Sequence, residues 1–268
     1  MLDFNKNKLK ANPIVKVLLL QPKRQLHIFI GYMLLLCRLR RWVYPVAPAN
    51  YIFWVNPKHI IWHTNRTVHP VQVMKDRTFN MFWDKAKIID GDWDTKIFKY
   101  DDLAAFRAIK TRILNNTPWK CTDFFFECMS DIKSGRHLWG CVNETALLKR
   151  LSTVDQIISN MKLNGYKVGY ESCLLNEDTL AVAKHSKYSD EITINIGRNG
   201  DFYFQDGRHR LAIAKVLGIK RVPVKVLVRH LEWCQKLKNI SVHDAEQQRL
   251  LEHPDINYLI TSGGLVHE

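Results

Sequence analysis

The segment FYFQDGRHRLAIAKVLG, residues 202–218, constrains the fold of this chain more than any other. Phe202 and Phe204 alternate with other residues in the two-residue period of a strand. The Asp-Gly pair that follows is a turn signal, and a helix pattern begins directly after it. The segment therefore predicts a strand that passes through a tight turn at Gly207 into a helix of about Arg208 to Leu217.

The start of that helix has the properties of an anion-binding site. Its first N–H groups have no partner within the helix, and with the helix dipole they attract negative charge. Gly207 has no Cβ, so a phosphate can approach the backbone closely, and Arg208, His209 and Arg210 add charge and directional donors. Taken singly, Asp206 is explained as a helix cap, His209 as a core histidine and Arg210 as the partner of a surface acid. Together they predict a phosphate site formed by Gly207, Arg208, His209 and Arg210.

Strand patterns surround this turn on both sides. The isoleucines of 192–196 alternate with polar residues, and Asn199-Gly200 is a hairpin signal, which predicts two antiparallel strands. The valines of 222–228 alternate as a final strand, in which Pro223 suits an early or an edge position. The aromatic and β-branched segment 51–63 predicts a further strand with a turn at Asn56-Pro57.

Helical patterns occupy the middle of the chain. Apolar residues share one side over 101–114, an aromatic-rich helix is predicted for 117–135, and 143–165 carries the i, i+3, i+4, i+7 spacing of one buried face. Gly165 is expected to end the last of these helices. The sequence thus predicts an α+β fold, with a small mixed sheet and flanking helices.

The same residues resemble a known superfamily. The string QDGRHRLAIAKVLGIKRVPVKVLV is similar to the phosphate-binding box of the ParB and sulfiredoxin superfamily, in which DG or GG precedes an Arg- and His-containing run at a helix start. VDQIISNMKLNGYKVG resembles the helix that precedes the strands in that superfamily. The resemblance covers about residues 150–230 and implies the ParB/sulfiredoxin-like fold. It also implies that residues 207–210 hold the phosphates of a nucleoside triphosphate, ATP or CTP, and that Asp206 lies near the metal or the transferred group.

One departure from the superfamily pattern argues against one of the reactions found in it. Sulfiredoxins carry a catalytic cysteine in the run that here begins with Arg208, so repair of sulfinic acids is disfavoured. The GDWD and WKCTDFFFE strings ahead of the matched region are not typical of the well-known members and indicate a distinct branch.

A metal site is predicted from the GDWD string. Carboxylates are the natural ligands of Mg²⁺, and Asp92 and Asp94 would share a face if the segment is extended, because alternate side chains do so. We therefore predict Asp92 and Asp94 as Mg²⁺ ligands, and Asp92, Asp94 and Asp206 as catalytic residues. The alternative is a turn that exposes its acids and buries Trp93.

Charge and hydropathy divide the chain unevenly. The formal net charge is +14, and residues 1–41 hold nine Lys or Arg against one acid. Such a basic arm attracts nucleic acid, lipid headgroups or nucleotides. Within it, residues 25–37 predict a helix that either packs on the protein or lies in a membrane interface, since thirteen residues are too few to span a bilayer. We divide the chain into a basic helical segment (1–48), a core (49–240) with a helical insertion at about 100–150, and a C-terminal tail (241–268).

Two functions follow from the sequence. The first is a nucleotide-binding protein that acts as a magnesium-dependent NTPase or phosphotransferase. The second is a non-catalytic nucleic-acid-binding protein that uses the basic arm. The six cysteines have irregular spacings, which favours reduced thiols and a cytoplasmic protein, with peripheral membrane contact as a further prediction.

Overall fold

The structure is a computed structural model that describes residues 44, 46–48, 51–64, 79–81, 84–95, 98–136, 138–168, 191–240 and 253–262. The chain divides into two units, residues 1–43 and 44–268, and every described residue belongs to the second. The basic arm and its apolar stretch 25–37 therefore lie outside the described residues, and the predictions made for them stay predictions.

The described residues form seven strands and six α-helices. The strands are β1 (Phe53–Val55), β2 (Ile60–His63), β3 (Lys87–Ile89), β4 (Phe98–Lys99), β5 (Ile192–Ile196), β6 (Phe202–Asp206) and β7 (Val222–His230). The helices are α1 (Ala104–Asn115), α2 (Asp123–Lys133), α3 (Glu144–Asn164), α4 (Arg208–Val216), α5 (Leu231–Lys238) and α6 (Pro254–Thr261). Short 3₁₀ turns cover Pro57–His59, Tyr100–Asp102, Trp119–Cys121 and Leu138–Gly140.

The strands form one mixed sheet in the order β1-β7-β5-β6-β2-β4, and β3 pairs with β7. The hairpin strands β5 and β6 are antiparallel, whereas β6 runs parallel to β2, and β5 runs parallel to β7. The turn that joins β5 to β6 lies at one end of the sheet, and the start of α4 lies at the other. We call the end at the β5–β6 turn the hairpin end and the end where β6 leads into α4 the α4 end.

The main hydrophobic core joins the sheet to helices α1–α4. Every residue of β5 and of β7 is buried, and the isoleucines of 192–196 and the valines of 222–226 lie in this core. Four consecutive residues of α4, Leu211–Ala214, are buried as well, and the helix contacts α1, α3 and β5. A second, smaller cluster of buried residues contains Phe79, Leu227 and Val228. The strand before Gly207 and the helix after it are thus both fixed by burial.

The C-terminal helix α6 is attached by a buried ion pair. Arg229 of β7 donates to both oxygens of Asp255 at 2.8 and 2.6 Å, and the Trp233 indole N–H donates to the same carboxylate at 3.1 Å. Burial alone would raise the pKa of Asp255, but the Arg229 guanidinium lowers it below its usual range. The segment predicted as a tail therefore contains a helix that is anchored to the sheet.

Most elements predicted from the sequence are confirmed. The mixed sheet with flanking helices agrees with the α+β prediction, and the three middle helices and the strand–turn–helix at Gly207 are present. Pro223 takes the early position, as the second residue of β7, and that strand lies inside the sheet between β1 and β5. In the part of the chain that is described, no helix has both the length and the apolar character needed to cross a membrane. Four cysteines are described, and all four are free thiols.

Candidate functional site

The α4 end of the sheet is built around a glycine in the left-handed conformation. Gly207 has φ 88° and ψ 32°, which residues with a side chain rarely adopt. A Cβ here would also lie 3.0 Å from the Ile192 Cα on the neighbouring strand. Both the backbone conformation and the close approach therefore require glycine. At this single residue the chain turns from β6 into α4.

The first amides of α4 are available to a ligand. The Leu211 amide donates to the Gly207 carbonyl at 3.1 Å, which closes the first turn of the helix. Among the described residues, neither the His209 amide nor the Arg210 amide donates a hydrogen bond. Two backbone donors at a helix start, next to a residue without a side chain, form an anion-binding geometry.

His209 differs from the sequence-based prediction in its charge. Its ring packs 5.5 Å from that of Trp139 and 6.1 Å from that of Phe124, measured between centroids. Burial, and next the nearby guanidinium of Arg208, lowers the pKa of His209 to about 3. The imidazole is therefore neutral near pH 7, and it adds no positive charge to the site. The physical reason is that a ring packed between aromatic side chains loses the water that would stabilise its charged form.

The two predicted arginines have different neighbours. Arg208 lies near Cys128 of α2. Burial raises the pKa of that thiol to about 12 even though the charge of Arg208 lowers it, so Cys128 is protonated near pH 7. Arg210 lies beside Tyr166, whose hydroxyl is 3.5 Å from a Glu191 carboxylate oxygen. The Arg210 side chain is hydrogen-bonded to Tyr166 but forms no ion pair within 4.0 Å with a described carboxylate, so no described carboxylate neutralises its charge at the helix start.

A third arginine, Arg150, joins the site from helix α3. Its guanidinium carbon lies 5.9 Å from the centre of the Trp139 ring, and its charge lowers the pKa of His209. Arg150 is exposed and forms no ion pair with a carboxylate among the described residues. Trp139 itself has φ 54°, a left-handed conformation that is strained for a bulky residue. Neither residue was predicted, because the fold alone brings Trp139 and Arg150 near His209.

The predicted carboxylates do not lie together. Asp206 is at the α4 end, where one of its oxygens accepts from the Gly207 amide at 2.9 Å. Asp92 and Asp94 lie at the hairpin end, since the Arg198 amide in the β5–β6 turn donates to Asp94 at 2.7 Å. Strand β6 separates the two groups by about 14 Å, from the rise of about 3.4 Å per residue over four steps. Asp92 and Asp94 are therefore not part of the site at Gly207.

Arg198 is the partner of both of these carboxylates. Its guanidinium donates to the Asp94 oxygens at 2.8 to 3.1 Å and to Asp92 at 2.9 Å. Asp94 is buried, and although burial raises the pKa of its carboxyl group, the hydrogen bonds from Arg198 lower it overall. A carboxylate pair that already binds a guanidinium does not fit the predicted Mg²⁺ site. The structure assigns it to fixing the hairpin.

The described residues contain one group of three side chains with the spacing of a metal site, Asp90, His230 and Glu232. The Nε2 atom of His230 is 2.8 Å from the carbonyl oxygen of Gly91, and its Nδ1 accepts from the amide of Glu232 at 3.1 Å. A carbonyl requires a proton on Nε2, and an amide donor requires the lone pair of Nδ1. Both nitrogens are therefore used within the fold, and His230 has no lone pair for a metal.

Comparison with known proteins adds no family to these observations. No family model, no curated protein and no solved structure matches the chain significantly. The assignment of function thus rests on the residues at the α4 end themselves.

Proposed function

We propose that this protein binds the phosphate groups of a nucleoside triphosphate at the start of α4. One observation carries the proposal. The amides of His209 and Arg210 follow the left-handed Gly207 directly, and neither donates a hydrogen bond to a described residue. Backbone amides at a helix start, assisted by guanidinium groups, are a common way for proteins to bind phosphate.

The number of cations favours a ligand with several phosphates. Arg208 and Arg210 begin α4, and Arg150 reaches the same place from α3. Each guanidinium can bind two oxygens, so three of them match the charge of a triphosphate better than that of a single phosphate. ATP and CTP are the two candidates that we propose.

We further propose that the fold is a distinct branch of the ParB and sulfiredoxin superfamily. The support is the order of elements: α3 ends at Asn164-Gly165, the β5–β6 hairpin follows, Gly207 leads into α4, and β7 comes next with its early proline. This is the order that the resemblance of residues 150–230 implies.

Turnover would require a carboxylate for Mg²⁺ at the same end of the sheet. Of the three predicted acids, Asp206 alone lies there, so it is the residue that would hold the ion. Bound Mg²⁺ would neutralise part of the charge of the phosphates. Asp92 and Asp94 take no part in this proposal. The alternative function, nucleic-acid binding by the basic arm, depends on residues 1–41, which lie outside the described residues.

A thermal-shift measurement with ATP, CTP, GTP and UTP, each with and without Mg²⁺, tests the proposal. A ligand that binds only the native state at 100 times its Kd adds about 2.7 kcal/mol of stability. We expect at least one triphosphate to raise Tm. The same shift should persist in a variant with Lys220→Ala and Arg221→Ala, which removes two exposed charges beyond the other end of α4. No shift with any triphosphate would contradict the proposal.

A further inference from the structure

Tyr100 is a buried tyrosine that reaches the start of α4 from a distant part of the chain. It begins the 3₁₀ turn between β4 and α1, and its side chain is 0% exposed. Its ring lies edge-on to Phe204 of β6 at 4.9 Å and to Phe106 of α1 at 5.8 Å. The ring is therefore fixed by the same core that fixes β6, so its hydroxyl has a defined position.

The hydroxyl of Tyr100 donates to the carbonyl oxygen of Arg208 at 2.5 Å. Burial raises the pKa of Tyr100 well above its usual range, so the group stays protonated and acts as a donor. The peptide group that contains this carbonyl also contains the amide N–H of His209. One side chain thus contacts, from behind, the peptide whose amide faces the proposed phosphate site.

A hydrogen bond to a carbonyl affects the amide of the same peptide group. It polarises the group, and the cooperative gain for the next hydrogen bond is about 10–30% in condensed-phase estimates. It also fixes the orientation of the peptide, so less conformational freedom is lost when a ligand binds. Both effects strengthen the interaction of the His209 amide with an anion.

Asp101, the residue after Tyr100, contacts the other end of α4. Lys215 in the last turn of α4 pairs with Asp101 at 2.5 Å and donates to the Ile60 carbonyl at 3.2 Å. Its ammonium also lies 5.0 Å from the centre of the Tyr100 ring. The 3₁₀ turn that starts at Tyr100 therefore sets the position of α4 at both ends.

We propose that Tyr100 is a positioning residue of the phosphate site, whose hydroxyl orients and polarises the Arg208–His209 peptide so that the His209 amide binds an anionic oxygen more strongly. This inference rests on the proposed function of the α4 end. Tyr100 does not touch the ligand, and its effect passes through one peptide group.

The test compares Tyr100→Phe with Tyr203→Phe. Tyr203 is also buried, and its hydroxyl also donates to a backbone carbonyl, that of Asp94 at 3.0 Å, but at the hairpin end. Both variants lose one buried hydroxyl, so their losses of stability are comparable. Binding of ATP and CTP is measured by calorimetry, and the amide proton shift of His209 is measured without ligand.

We expect Tyr100→Phe to weaken triphosphate binding about 1.3-fold to fivefold, which is the 10–30% that polarisation adds to one hydrogen bond between an amide and a charged group. The amide proton of His209 should move upfield in Tyr100→Phe, whereas Tyr203→Phe should change neither quantity. Wild-type protein that binds no triphosphate would overturn the proposed function. Wild-type binding with equal affinity in Tyr100→Phe, and an unchanged His209 amide shift, would overturn the inference about Tyr100 alone.

Discussion

The two ends of the sheet use charged residues in opposite ways. At the hairpin end, Arg198 binds Asp92 and Asp94, and Arg229 binds Asp255. At the α4 end, Arg150 and Arg210 form no ion pair with a described carboxylate. Charge density therefore does not by itself mark a functional site. A guanidinium group that is held by a carboxylate of the same protein is already neutralised.

The largest effect is expected from Asp255→Ala, which tests whether the hairpin end is structural. The substitution leaves the buried Arg229 guanidinium without its carboxylate and the Trp233 N–H without its acceptor. Removing one partner of a buried ion pair costs about 3–5 kcal/mol of the free energy of unfolding. Urea unfolding should show this loss, while triphosphate affinity of the folded protein stays unchanged. A large loss of affinity would mean that the two ends are not independent.

The next effect is a loss of ligand binding. Arg208→Ala combined with Arg210→Ala removes two guanidinium groups at the start of α4. Hydrogen bonds to charged groups contribute about 1.5–3 kcal/mol each, so triphosphate affinity should fall at least 100-fold. Calorimetry measures the change, and Lys220→Ala with Arg221→Ala is the charge-matched control. Equal affinity in the Arg208/Arg210 variant and the control would remove the α4 end as the site.

A smaller effect concerns pH, and it applies to both ends. Burial lowers the pKa of His209 to about 3 and of His253 to about 4, from 6.5. Between pH 6.5 and 4 the unfolded chain therefore binds protons that the folded protein does not, so the free energy of unfolding falls as the pH falls. The loss by pH 4.5 should be about 2–3 kcal/mol for each histidine. Urea unfolding from pH 7.5 to 4.5 measures it.

Substitution of each histidine assigns that pH dependence. His209→Gln and His253→Gln should each flatten the profile, since glutamine does not titrate. A wild-type profile that is flat from pH 7.5 to 4.5 would show that neither histidine has a lowered pKa in the folded protein.

The smallest effect is expected for Arg150→Gln, which sharpens the description of the α4 end. One exposed charge near a bound triphosphate contributes about 1 kcal/mol, so affinity should fall about threefold to tenfold. Binding of inorganic phosphate should change less, because it occupies only the start of α4. The control is Lys149→Gln, the exposed neighbour on α3. An equal effect of both substitutions would indicate general attraction by a basic surface.

Local patterns explain which parts were predictable. The turn at Gly207, the end of α3 at Gly165 and the strand β5 depend on residues close in sequence, and all three were predicted. The partners of charged groups were not predicted, because the fold brings them together over long separations. Arg198 is 104 residues from Asp94, and Tyr100 is 108 residues from Arg208. Burial of His209 likewise depends on Trp139 and Phe124, from other helices and turns.

A titration of isotope-labelled protein with ATP and with CTP, followed through the backbone amide resonances, tests phosphate binding at the start of α4 most directly. We expect the amides of His209 and Arg210 to shift downfield as they donate to phosphate oxygens, with saturable dependence on ligand. Amides at the hairpin end, including Arg198, should stay in place. Saturable shifts elsewhere with the His209 and Arg210 amides unmoved, or no shift with either nucleotide, would contradict the claim.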